Sequence, residues 1–320
     1  MHALIFADQK DDHLPLVLPH LSVDHTLIDV RQIAKGEHSL TYVLGDAEVR
    51  VVYDGQPIEG ITAVWSRQLS LSFEDDGGID PRYREYCRHS WRELTEAFAV
   101  QFENALWVSP LYAARRANRK ILQIVLARKL GLNVPETIQT SDPHEAKAFV
   151  DARIATIVKP FMSQIESRAK GGGRYFFASK VHRGEALDYH LLPLAPLIFQ
   201  EAIDPVADIR VVVIGDKVFA AKIVTDEENA ARVRDWRIAQ YDGKLTIEPY
   251  DLPEDVSKRC VRLIKKLGLA FGAIDLILDK KGRLWFLENN TTGAWGFLER
   301  ATGLPIGKAL ADMLSAGKRS

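Results

Sequence analysis

AIDLILDKKGRLWFLENN, residues 273–290, reads as two apolar strands joined by a polar turn at DKKG. A hairpin of this kind brings its strand ends together, because antiparallel neighbours lie about 5 Å apart. Asp275 opens the first strand, and Glu288 and Asn290 close the second. Residues two apart in a strand share a face, so Glu288 and Asn290 point the same way. Three oxygen-bearing side chains on one face suit a hard cation such as magnesium, which takes carboxylates together with phosphate oxygens. The same three also read as polar residues on a solvated strand face. Against that stands their setting in the apolar runs GAIDLIL and LWFLENN, where a buried carboxylate without a partner costs several kcal/mol.

Working outward, the chain alternates strands and helices. Upstream, IRVVVIGDKVFAAKIV predicts another hairpin with Gly215-Asp216 at its tip, and PEDVSKRCVRLIKKLG predicts a helix that starts at proline. Two short helices are expected after the 273–290 hairpin. Further upstream, TIVKPF, RYFFASKV and LIFQEAI read as strands, with the loop SQIESRAKGGG between the first two. SPLYAARRANRKILQIVLARKLGLNVPET reads as one long helix after a Ser-Pro start, stopped by Gly131 with Pro135 beyond. In the first 105 residues or so, HALIFAD, SVDHTLIDV, SLTYVLG, EVRVVYDG and GITAVWSRQ read as strands, with a turn at Asp54-Gly55. Residues 83–104 have helical periodicity, with Trp91, Leu94, Phe98 and Phe102 at three- and four-residue steps and Tyr86 five residues before Trp91. Mixed strands and helices of this kind predict an α/β (α+β) layered architecture.

Composition narrows the classes. The chain has 320 residues, 47% hydrophobic and 27% charged, the balance of a globular protein of about two domains. Lys and Arg number 42 against 43 Asp and Glu, a net charge of -1, which speaks against a nucleic-acid coat or a polybasic membrane binder. Two cysteines, Cys87 and Cys260, exclude a disulfide scaffold and read as idle thiols in helical stretches. No targeting segment is expected, and LLPLAPLIFQEAI is broken by Pro193 and Pro196 and too short to span a bilayer, so the expected location is cytoplasmic. No internal repeat or low-complexity tract stands out.

Other groups carry possible chemistry. Lys159 ends the strand TIVKPF ahead of a glycine-rich loop, where its ammonium can reach a phosphate, and Lys120 lies in RRANRKILQ, which by itself reads as a solvated helix face. Gly171, Gly172 and Gly173 allow backbone amides to approach an anion, or form an ordinary flexible turn. No Walker GK[ST] and no GxGxxG occurs. Arg210 in DIRVVV and Arg237 in DWRIAQ each follow an aspartate by two residues, Asp208 and Asp235. They could clamp a phosphate or carboxylate, or form Asp–Arg salt bridges. The histidines have no HxH or HExxH spacing, which leaves zinc chemistry and a His-centred triad without support.

The order Lys120, Lys159, glycine loop, QEAI, DIR, DWR, AID, LENN resembles the ATP-grasp ligases over residues 109–313. AVWSRQ, ARRANRK, LGLNVPET, DWR and LENNTTGAWGFLERATGLPI resemble the RimK-like branch and, within it, the microviridin-type graspetide peptide ligases. The likeness implies an ATP-grasp fold with an N-terminal pre-ATP-grasp α/β domain over 1–108, a central and lid subdomain over 109–199, and a C-terminal subdomain with the metal site over 200–320. It implies ATP and magnesium, two ions, as cofactors. Lys120 and Lys159 would contact the phosphates, the Gly171–Gly173 loop would close over them, Gln200, Glu201 and Ala202 would hold adenine, and Asp208 would face the ribose. Arg210 and Arg237 would stabilise the transferring phosphoryl group and the acyl phosphate, and Asp275, Glu288 and Asn290 would hold magnesium.

The implied reaction joins Asp or Glu side chains of a ribosomal precursor peptide, docked by a leader segment, to Ser/Thr hydroxyls or Lys amines. The alternative is a RimK-like ligase that adds an amino acid to a small molecule or protein tail, and a non-catalytic peptide-binding module is a third. Neither nucleic acid nor membrane is an expected partner, and a homodimer is an expectation of the likeness alone. The family's LEINPNGQW pattern is here LENNTTGAW, so Asn289, Thr291, Thr292 and Ala294 depart from it, as does Gln68 after Arg67. These changes leave the metal logic intact and bear on the substrate.

Overall fold

A computed structural model describes residues 1–45, 49–67, 80, 82–161, 164–165, 174–175, 178–225 and 245–317. Four apolar runs near the start, β1 (His2–Phe6), β2 (Asp24–Ile28), β6 (Ile61–Ser66) and β7 (Leu106–Val108), pair in parallel in the order β2-β1-β6-β7. Residues 3 to 6 of β1 are wholly buried, as a parallel strand covered on both faces demands. One face packs with α3 (Arg84–Gln101), through Trp91, and with the flanking Phe102. Tyr86, expected on the buried stripe of this helix, is instead 73% exposed, and the side chain of Phe98 lies outside the described residues. The helix turns its Trp91 face to the sheet, so a residue five positions earlier points away. Strands β3 (Leu40–Leu44), β4 (Val49–Tyr53) and β5 (Gln56–Pro57) form a separate antiparallel sheet.

The other face of the parallel sheet shares a core with a second, antiparallel sheet. That sheet contains β14 (Pro205–Ile214), β15 (Lys217–Thr225), β16 (Leu245–Pro249), β17 (Phe271–Asp279) and β18 (Leu284–Asn290), in the order β16-β15-β14-β17-β18. Ile5, Ala63 and Trp65 meet Val212, Ala221 and Ala273 in this core, together with Leu310 and Leu314 of α9 (Ile306–Ala316), which fills the space between the sheets. The opposite face of the five-stranded sheet, with Ile209, Val211, Ile274, Leu276 and Phe286, is covered by α5 (Lys120–Lys129) and α7 (Glu254–Lys266). Both faces of the sheet are therefore sealed. Cys260 is buried on α7, and burial pushes its thiol up to about 12, so it is inert at neutral pH.

A third unit is the four-stranded antiparallel sheet β12-β9-β13-β8, with β8 (Thr137–Thr140), β9 (Ala155–Lys159), β12 (Ser179–His182) and β13 (Leu197–Glu201). Helix α6 (Pro143–Asp151) covers it, capped by the Asp142 side chain and started by Pro143. The chain between Thr137 and Asp151 thus forms a strand and a helix. Both are additional to the elements expected from the sequence.

The long helix expected over residues 111–129 is two helices, α4 (Leu111–Ala117) and α5. Arg119 breaks it with an extended backbone, φ -75° and ψ 104°. Thr291 donates to the Asn118 side-chain oxygen at 3.1 Å, and the Gln123 amide donates to the Ala117 carbonyl at 2.7 Å. The Gln123 side chain thereby serves the Ala117 carbonyl at the break, and Lys120 becomes the first residue of a new helix.

Trp91 is half-buried against the parallel sheet. Trp91→Ala should lower stability by about 2 kcal/mol, less than for a fully buried Trp. Urea denaturation checks this, and an unshifted midpoint would remove Trp91 from the core.

Candidate active site

The β17–β18 ladder pairs Asp275 with Glu288 and Ala273 with Asn290, as the hairpin reading expects. Between Asp275 and Leu276 the register shifts. Leu276 faces Phe286 and Leu278 faces Leu284, so Leu287 is an extra residue on β18. This bulge decides the chemistry. Phe286 lies in the core against α5 and α7, and in an unbroken strand Glu288, two residues on, would share that apolar face. The additional residue turns Glu288 and Asn290 to the other face.

That face gathers charge. Arg210 stands opposite Asp275 on β14, and its Nη1 donates to Asp275 Oδ1 at 2.6 Å. A salt bridge of Arg210 therefore forms across strands, with Asp275. Asp208 lies two residues before Arg210 on the same face. Asn290 Nδ2 lies 3.1 Å from Asp275 Oδ2 and 3.4 Å from Glu288 Oε1. Lys120 Nζ lies 3.5 Å from Glu288 Oε2.

The donor set therefore comprises two carboxylates and an amide within one hydrogen-bonded cluster, with basic groups at its edge. Among the described residues, no group of three or more His, Cys, Asp or Glu side chains is placed to hold a metal. The set at β17–β18 nonetheless fits a hard cation that takes its remaining ligands from phosphate and water. Asn290 would present Oδ1 after an amide flip, which exchanges atoms of nearly equal shape.

A loop hangs from the end of β18 and is held at each residue but one by a different part of the chain. Asn118 takes the Thr291 hydroxyl, Arg67 donates to the Thr292 carbonyl, and Arg210 Nη2 donates to the Ala294 carbonyl at 3.0 Å. The Trp295 amide donates to His13 Nε2 at 3.0 Å. Gly293 is needed between them: a Cβ there would stand 2.4 Å from Arg210 Nη2 and 2.7 Å from Ala273 Cβ.

His13 and Arg67 converge on Asp11, which accepts from His13 at 2.7 Å and from Arg67 Nε at 3.1 Å. Burial opposes the Asp11 charge, but the His13 hydrogen bond and the Arg67 charge outweigh it and bring its carboxyl down to about 2. Burial lowers His13, against the Asp11 bond and with help from Arg67. Its neutral ring accepts at Nε2 and so carries its proton toward Asp11. Burial also lowers Arg67; Asp11 opposes that shift, and the nearby Arg210 charge adds to it. Sequence reading passed over Asp11, His13, Asn118 and Gln123, and treated Arg67 only as a landmark. Asp11, His13 and Arg67 follow the carboxyl ends of β1 and β6, the edge of a parallel sheet where functional groups collect.

Lys159 and the residues Gln200, Glu201 and Ala202 form a second group at the four-stranded sheet. Lys159 Nζ donates to Gln200 Oε1 at 2.9 Å, and Gln200 Nε2 donates to Thr137 Oγ1 at 2.9 Å. The Glu201 amide donates to the Glu136 carbonyl at 2.8 Å and the Ala202 amide to the Ala155 carbonyl at 3.2 Å, so both backbone N–H groups are engaged within the protein. Arg237 and the Gly171–Gly173 loop lie outside the described residues.

A lysine at the start of helix α5, another at the end of β9 and a carboxylate-bearing hairpin mark an ATP-grasp ligase. The chain belongs to the RimK-like ATP-grasp family, whose domain matches residues 117–314. It is 27% identical over 270 residues to a probable alpha-L-glutamate ligase of Xanthomonas oryzae pv. oryzae, covering 83% of this chain and 82% of that one. Its fold superposes on the macrocyclase MdnC of Microcystis aeruginosa MRC, solved with the precursor peptide MdnA, at a TM-score of 0.83 and 26% identity, covering 99% of this chain and 100% of that one. A RiPP-associated ATP-grasp ligase of Chryseobacterium gregarium, solved with ADP and a leader and core peptide, shares the fold at a TM-score of 0.88 and 22% identity, over 99% of this chain and 97% of that one. No helix among the described residues is long and apolar enough to cross a membrane.

The Asp11–His13 pair makes acid destabilising. Both groups bind fewer protons folded than unfolded, so each stabilises above its unfolded value and loses that contribution as pH falls. For His13 the loss begins below 6.5, and for Asp11 it runs from 3.8 toward 2. Thermal midpoints should drop more between pH 7.5 and 5 in wild type than in His13→Gln; parallel profiles would contradict a neutral, buried His13.

Proposed function

We propose that this chain is an ADP-forming ligase that macrocyclises a ribosomally made precursor peptide, joining Asp or Glu side chains to Ser/Thr hydroxyls or Lys amines. The observation that carries the reading is the convergence of Asp275, Glu288 and Asn290 beside Lys120 and Arg210. The peptide substrate is supported by the likeness to MdnC, which extends over the whole chain, including the N-terminal part that places Arg67 at the site.

A carboxylate is a poor acyl donor at neutral pH. Its oxygen attacks the γ-phosphorus of ATP, ADP leaves, and an acyl phosphate forms. A hydroxyl or amine then attacks the carbonyl carbon and gives up its proton, and phosphate departs. Each ring costs the peptide one water. Positioning and charge neutralisation dominate such chemistry, with no covalent enzyme intermediate.

Asp275, Glu288 and Asn290 would hold magnesium, two ions in this reading, which supplies charge neutralisation for the phosphates. Lys120 and Lys159 would hold phosphate oxygens, and the Gly171–Gly173 stretch is assigned by the family likeness to cover them. Gln200, Glu201 and Ala202 would border the adenine; the backbone amides of Glu201 and Ala202 and both ends of the Gln200 side-chain amide have partners within the protein. Asp208 meets the ribose, and Arg210 with Arg237 neutralises the phosphoryl group in flight. The reading divides the chain into an N-terminal domain over 1–108, a central and lid part over 109–199, and a C-terminal part over 200–320.

With ATP, magnesium and a cognate precursor, ADP release should depend on the peptide, and the peptide should lose one water mass per ring. ADP release driven by free glutamate without a peptide would instead favour an amino-acid ligase, as the glutamate-ligase relatives suggest. Glu288→Gln should reduce ADP formation on the order of a hundredfold or more with an unchanged fold; unaltered turnover removes it from the metal site. Lys159→Ala should weaken ATP binding about tenfold, and calorimetry giving the wild-type dissociation constant would contradict its phosphate role.

A further inference from the structure

Among the described residues, β18 is an edge strand whose only ladder partner is β17. Its outward backbone groups need partners wherever they are covered. At the start of the strand Asn133 supplies them: its side chain donates to the Leu284 carbonyl at 3.0 Å, and its carbonyl accepts from the Phe286 amide at 2.8 Å. After the bulge at Leu287 the outward phase moves to Asn289. There one side chain takes both groups. Gln123 Oε1 accepts from the Asn289 amide at 2.8 Å, and Gln123 Nε2 donates to the Asn289 carbonyl at 2.8 Å and to the Ala117 carbonyl at 2.7 Å. Gln123 is 2% exposed, so water does not compete for these bonds.

Asn289 is the residue between Glu288 and Asn290. Fixing both of its backbone groups fixes the peptide planes from which those two side chains project. Gln123 also lies one helical turn after Lys120 on α5, so the same three bonds set the distance between Lys120 and Glu288. We infer that Gln123 is a positioning residue: it acts as a missing sixth strand that holds the ligand-bearing end of β18 and registers it against Lys120. The inference rests on the metal reading of Glu288 and Asn290 above. It assigns Gln123 a role in metal affinity, separate from the stability any buried amide contributes.

Asn133 provides the control, because Asn133→Ala removes an edge contact on the same strand away from the ligands. Mn²⁺ is titrated into each protein with ADP, with free Mn²⁺ read by electron paramagnetic resonance and stability by thermal unfolding. Gln123→Met should weaken Mn²⁺ binding about tenfold or more, the range for residues that orient metal ligands. Asn133→Ala should lower the melting temperature while binding Mn²⁺ as wild type does. Should Gln123→Met not fold, Gln123→Glu, which keeps only the acceptor for the Asn289 amide, should show weakened binding in the same titration. Mn²⁺ binding that is lost in Glu288→Gln but intact in the folded Gln123 variant overturns the clamp alone. Equal loss in the Gln123 variant and Asn133→Ala also overturns it. Binding that Glu288→Gln leaves intact overturns the metal reading and the clamp with it.

Discussion

A single extra residue on an edge strand governs the arrangement of this protein's charged centre. Leu287 lets β18 present Phe286 to an apolar core and Glu288 to the opposite, charged face, though the two are only two positions apart. Without the bulge a carboxylate would enter the core beneath α5 and α7, at a cost of several kcal/mol unless neutralised. With it, Glu288 stands across from Asp275, within reach of Lys120, and Asn290 joins them from the next same-face position. Arg210, opposite Asp275 on the central strand, completes the cluster from the other side.

The surrounding structure keeps this face from collapsing. Buried ionic groups are tolerated only when each finds a partner. Here the partners come from five separate stretches of chain: the loop after β1, the end of β6, the α4–α5 junction, β14 and the β17–β18 hairpin. Each is anchored in a core of its own or shares the one between the two sheets. The loop at 291–295 follows from the same demand. Its backbone carbonyls face guanidinium groups, and it passes so near Arg210 and Ala273 that only glycine fits at 293.

Much of this was legible in the residues. The hairpin over 273–290 has a short polar turn, so the approach of Asp275 to Glu288 and Asn290 at its open end was legible, although the turn alone would set Asp275 against Leu287. The tip at Gly215-Asp216, the strand ending at Lys159 and the strands β1, β2 and β6 near the start were equally plain, since each is a short apolar run bounded by turn residues; β7, of three residues, and the parallel pairing were not read. The bulge was not legible, because Leu287 is an apolar residue within an apolar run. The break at Asn118-Arg119 was hidden for a different reason: both residues are compatible with a helix, and the bonds that favour the break come from Thr291 and Gln123. Gln123 reads as a polar position on an amphipathic helix, and only the fold reveals that it faces a strand edge. Helix α6 carries local signals in Asp142, which caps it, and Pro143, which opens it. Tyr86 shows the limit of periodicity, which identifies a helix without fixing which residues of a broad stripe meet the sheet.

The attachment of Thr292 to Arg67 and of Trp295 to His13 bears on how such a ligase can be partitioned. The family domain spans residues 117–314, but two of the groups that shape the loop beside its carboxylates lie upstream, on the parallel sheet. Excised at that boundary, the module would carry a bare Thr292 carbonyl and Trp295 amide, and exchange of the leading segment for a foreign one would succeed only where the replacement returns a histidine and an arginine to those two atoms. The amino-terminal layer is thus a structural component of the loop beside those carboxylates.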